Sequence, residues 1–152
     1  MLVAISLALI FFLSVGFLVS ATRGAPRRVD QIAPALEQLL RSNLENPIIT
    51  IRPKFAPNSF LQFSRYPAGS SSYGIELAFP RAPWSESHFP KVVTLASKTG
   101  EEYEIVDDEE PGLRFVFVKF GASTERAARF AESVLIEILG FPDTYRFRVR
   151  MN

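Results

Sequence analysis

From Leu2 to Val19 the chain reads LVAISLALIFFLSVGFLV without one charged position, and beyond residue 28 that uniform run gives way to two different apolar periods. Ile32, Leu36, Leu39 and Leu40 have the spacing of one helical stripe; Pro34 fits its first turn, and Pro47 in NLENP stops it. Between residues 48 and 120 the pattern predicts six strands: IITIR (48–52), FLQFSRY (60–66), GIELAF (74–79), KVVTLAS (91–97), EEYEIV (101–106) and LRFVFVKF (113–120). Each is rich in β-branched or aromatic residues, and most are bounded by Pro, Gly or Ser. PAGSSSYG (67–74) reads as a hairpin loop, SKTG (97–100) as a tight turn and DDEEPG (107–112) as an acidic turn. Segment 113–120 is apolar at nearly every position, so it is expected to be a central strand covered on both faces.

A second helix follows. Ser123 or Thr124 caps it, and Glu125 sits in its first turn. Ala127, Phe130, Ala131, Val134, Leu135 and Ile138 form its stripe, and Gly140 with Pro142 ends it. The last strand, in TYRFRVRMN, completes the order helix, six strands, helix, strand. Short turns join antiparallel neighbours, and the two helices flank the run of strands. The expected fold is therefore α+β: a mostly antiparallel sheet of about six to seven strands with two helices packed on one face, preceded by one transmembrane helix.

Eighteen uncharged residues reach about 27 Å as a helix, the low end of a bilayer span. A secretory signal has a basic leader and a shorter apolar core, whereas only Met1 precedes this run. Residues 1–21 are accordingly read as a membrane anchor, 22–28 as a basic linker and 29–152 as one α+β domain. Arg23, Arg27 and Arg28 flank the membrane; with no basic residue before the run, the domain is expected on the cytoplasmic side. The alternative is a signal peptide cut after Ala21, releasing a soluble ligand- or protein-binding domain to the periplasm or the cell exterior.

Composition narrows the chemistry. At 47% apolar, the chain supplies one core beyond its leader, and a pI near 8.1 falls below the value of about 9 typical of nucleic-acid-binding domains. No nucleic-acid partner is expected. Without cysteine the chain forms no disulfide, thiolate nucleophile or thiolate zinc site. Residues 101–110 carry seven acids and no Lys or Arg, leaving nine acids against 17 basic residues elsewhere, so the molecule is expected to be dipolar.

Arg146, Arg148 and Arg150 alternate with Tyr145, Phe147, Val149 and Met151, so a strand here separates cations from aromatics onto opposite faces. A single-strand nucleic-acid platform needs both on one face. The arginines are expected to meet solvent, an acidic partner surface, anionic lipid heads or a glutamate row across the sheet; Glu102 and Glu104 have the matching spacing.

The lone histidine, His88, shares the loop FPRAPWSESHFP with Trp84, Ser85, Glu86 and Ser87. Four neighbours in one loop do not assemble a hydrolase triad, and no nucleotide or metalloprotease motif is present. Trp84, His88 and the arginine row are instead candidate contacts for a protein partner. Asp107, Asp108, Glu109 and Glu110 are consecutive, unlike the spaced ligands of a calcium loop, and read as a solvated turn. The expected function is a non-enzymatic accessory or assembly subunit, without cofactor or metal, held in the bilayer by residues 2–19 and binding other proteins of a membrane complex.

Overall fold

The strand and helix periods fold into one antiparallel sheet overlaid by helices in the computed structural model, which describes residues 26–56, 58–107 and 113–152. In chain order the elements are β1 (Pro26–Arg27), a 3-10 turn (Val29–Gln31), α1 (Ile32–Arg41), β2 (Ile48–Pro53), β3 (Leu61–Pro67), β4 (Tyr73–Arg81), α2 (Phe89–Thr99), β5 (Glu102–Asp107), β6 (Arg114–Lys119), α3 (Thr124–Ser133) running into a π-helical turn (Val134–Ile138), and β7 (Phe147–Met151). The sheet order is β1-β7-β2-β3-β4-β6-β5, and every neighbouring pair is antiparallel.

This order has a physical consequence for the helices. β4 and β5 run the same way with β6 between them, so a crossover must join them, and α2 supplies it. β6 and β7 also run the same way, with three strands between them, and α3 carries the chain back across the sheet. Ile49, Ile51, Leu61, Phe63, Ile75, Leu77, Phe79, Val116, Val118 and Phe147 point to one face. There they meet Ile32, Leu36 and Leu39 of α1, Val92 and Ala96 of α2, and Phe130 and Ala131 of α3 in one core. Three helices, not two, therefore share a single face.

The extra helix is the segment read from sequence as the strand KVVTLAS. Two adjacent valines favour strand locally, yet the buried positions Phe89, Val92 and Ala96 follow helical spacing. Pro90 sits in the first turn, and Gly100, at φ +72°, accepts the left-handed cap conformation that a side chain resists. SKTG is thus the end of this helix rather than a separate turn. Segment 113–120 is likewise not central: β6 lies between β4 and the outermost strand β5. Its continuous apolarity has another cause, because Phe115 on the helix-free face joins Phe60 and Ala78 in a second, smaller cluster against Trp84.

Two further junctions hold the layers in register. Arg65 of β3 crosses to the end of α1 and donates to the carbonyls of Ser42 and Leu44 at 2.6 and 2.8 Å, neutralising the negative end of that helix. Glu101 is buried and receives two hydrogen bonds from Arg126 of α3, joining the start of β5 to the helix layer.

The expected anchor, residues 2–19, and Arg23 lie outside the described residues, as do Asp108, Glu109 and Glu110. Among the described residues, no helix is long and apolar enough to cross a membrane. The described part of the basic linker contributes β1, so residues 26 and 27 belong to the sheet.

Tyr66 and Gly74 face each other across β3 and β4, and a Cβ at position 74 would stand 2.4 Å from the tyrosine ring. Gly74→Ala is expected to cost about 1–3 kcal/mol, the usual penalty of overpacking. In a Tyr66→Ala background the same change should cost less; chemical denaturation of the four proteins measures this coupling.

Candidate functional site

The helix-free face of the sheet carries the polar chemistry, graded from one edge to the other. At the β7 end, Arg148 stands directly opposite Arg52 of β2, and Arg150 opposite Thr50. Like charges across a strand pair repel, so this placement runs against the usual cross-strand preference. Burial, and then Arg150, hold the Arg52 guanidinium below its ordinary pKa, and the group lies 5.2 Å from the centre of the Phe60 ring. Lys54 extends the patch: its backbone N–H donates to the Arg146 carbonyl at 3.2 Å. Among the described residues, no salt bridge involves Arg146, Arg148 or Arg150.

Glu102 and Glu104, matched to the arginine row by spacing alone, do not meet it. They lie on β5, at the far edge, where both approach Lys119 of β6, at 3.8 and 3.3 Å. The spacing is right, but a sequence period carries no information about which strands become neighbours.

Midway across this face is Glu76, only 4% exposed. Ser64 donates a hydrogen bond to its carboxylate at 3.4 Å, and Lys119 is its register partner on β6. Burial pushes the Glu76 carboxyl above the usual carboxylate range, Lys119 pulls it back, and Glu104 pushes it up again. Lys119 also lies 5.6 Å from the centre of the Tyr66 ring. Sequence reading did not single out Glu76: in GIELAF it looks like the polar position of a half-exposed strand, and only the pairing reveals its burial.

The Trp84 loop is built as a plug. The indole is half-buried between Phe60 and Phe79, each 5.6 Å away centre to centre. Ser85 is fully buried; its hydroxyl donates to the Pro80 carbonyl at 2.6 Å and accepts from the Ala82 N–H at 2.9 Å. Glu86 pairs with Arg81 at 2.8 Å. His88 is half-buried at the start of α2, its Nδ1 enclosed without a hydrogen-bond partner among the described residues. Ser85, Glu86 and His88 thus each serve the loop or the helix start, and the arrangement does not converge on a reacting atom.

On the helix side, a cleft of about 380 Å³ opens between α2 and the π-helical turn, lined by Lys91, Leu95, Lys98, Glu137 and Ile138 among others. The turn is formed by the Leu139 N–H donating to the Val134 carbonyl at 2.8 Å. At the sheet edge, β5 hydrogen-bonds only to β6 among the described residues, and it exposes Tyr103 and Ile105 at 38% and 45%. Among the described residues, no group of three or more acidic or histidine side chains is placed to hold a metal ion.

No known protein family, curated protein or solved structure matches the chain.

The raised carboxyl of Glu76 makes a pH prediction. A folded-state pKa above the unfolded one means that ionised Glu76 opposes folding at neutral pH, and that this penalty fades as pH falls through the folded value. Glu76→Gln keeps an acceptor for Ser64 and removes the charge. The variant is expected to melt above the wild type at pH 7 and 8, with the gap closing towards pH 4; thermal unfolding across that range checks the sign.

Proposed function

We propose that the protein is a single-pass, membrane-tethered, non-enzymatic domain that acts as an accessory or assembly subunit by binding other proteins of a membrane complex. The observation carrying this reading is the route by which the chain joins the sheet. Only six residues separate the uncharged run 2–19 from β1, and β1 pairs with β7 at one end of the sheet. A tether this short confines the domain to the bilayer surface and raises its effective concentration for other membrane proteins. The basic residues after the run favour the cytoplasmic side.

The partner surface best supported is the opposite edge. The outward N–H and C=O groups of β5 can accept an added strand, a common mode of peptide recognition. Tyr103 and Ile105 line one side of that edge while Glu102 and Glu104 line the other. The fitting partner segment is extended, with apolar residues on one face and Lys or Arg on the other. Trp84 and His88 serve this reading indirectly, by holding the end of β4 and the start of α2.

The full chain is expected to stay with membranes through high-salt and alkaline washing and to leave them in detergent. Ile105→Lys should lose the protein that copurifies with the wild type while retaining the same melting temperature. A mature N-terminus at Thr22, with release needing no detergent, would replace this reading with the exported binding domain.

A further inference from the structure

The sheet separates charge along its length. β5, with Glu102, Glu104 and Asp107, forms one end; β7, with Arg148 and Arg150, lies five strand steps away, about 24 Å at the usual spacing. That exceeds the Debye length of about 8 Å at physiological salt, so the acidic end does not screen the basic one. Lys119 further occupies the acids nearest the middle of the sheet. Arg146, Arg148 and Lys54 are exposed, and Arg150 is partly so.

The route of the chain adds a constraint. Seven residue steps from Val19 to Pro26 span at most about 25 Å, and Pro26 is paired with Arg148. If residues 2–19 span a bilayer, β1, the edge strand paired with the arginine-bearing β7, is therefore held within that reach of it. Arg27 and Arg28 stand at the same end.

We propose, resting on the tethered reading above, that the β7 end of the sheet lies on anionic lipid headgroups through Arg146, Arg148, Arg150 and Lys54. The domain is thereby fixed with β5 turned away from the bilayer. The tether sets the distance, and the arginines set the orientation. Guanidinium groups suit this role because each offers a fork of donors that matches phosphate and carboxylate oxygens. Each basic residue brought to an anionic surface is worth about fivefold in partition, so three or four suffice to bias a domain that is already confined.

The chain lacks cysteine, so single introduced thiols can report orientation. Full-length Asn152→Cys, at the β7 end, and Ser97→Cys, on the last turn of α2 before β5, would each carry a fluorophore. The proteins would be reconstituted in vesicles containing headgroup-spin-labelled lipid. In phosphatidylcholine with about 30% phosphatidylserine, quenching should be at least about twofold stronger at position 152 than at 97. The difference should fall towards unity in phosphatidylcholine alone, in 0.5 M NaCl, and in the Arg146→Gln, Arg148→Gln, Arg150→Gln variant; the corresponding lysine variant should retain most of it. Equal quenching at both positions, unaffected by lipid charge in a protein that floats with the vesicles, overturns the proposal and leaves the tether standing. Failure to float with uncharged vesicles after alkaline washing overturns the tethered reading itself.

Discussion

The crossover of α3 is the constraint on which the rest of the molecule depends. β6 and β7 run in the same direction on either side of three intervening strands, and no turn can make that connection. A helix must travel over the sheet, and its apolar stripe of Ala127, Phe130, Ala131, Val134 and Leu135 supplies the adhesion. This one passage sets the helix layer on a single face, leaves the other face to polar residues and the small cluster around Phe60 and Phe115, and delivers the arginine strand between β1 and β2. The bidentate contact of Arg126 with buried Glu101 secures the start of the passage to the acidic edge.

The helix-free face then acquires its gradient from strand order alone. Cations gather where β7 meets β2, carboxylates gather at β5, and Glu76 is buried between them beside Ser64 and Lys119. Neither end could neutralise the other across the intervening strands. The separation gives the domain a charge axis that runs along the sheet.

Much of the architecture was legible in the sequence because its elements announce themselves locally. The α1 stripe, the capped start of α3, the β3–β4 hairpin and the alternation of β7 all follow from near neighbours in the chain. KVVTLAS was misread because β-branched residues at 92 and 93 outweighed a helical spacing that requires Phe89, four positions before Val93, to be counted in. LRFVFVKF suggested a central strand because a small cluster around Trp84 and Phe60 mimics the burial that a second layer would give. What local pattern could not supply was adjacency. The pairing of β7 with β1 and β2, and hence the distance of the arginines from Glu102 and Glu104, arises from α3 crossing the whole sheet. The buried state of Glu76 was hidden for the same reason, since its neighbours Ser64 and Lys119 come from segments 12 and 43 positions away.

β7 is hydrogen-bonded on both sides, to β1 at the start of the described chain and to β2. During synthesis those two segments emerge 94 residues or more ahead of the strand that unites them. The end of the sheet formed by β1, β7 and β2 thus stays unzipped until residue 151 has left the ribosome. Closure of the sheet is thus the last step of folding, and it joins the first described strand to the last.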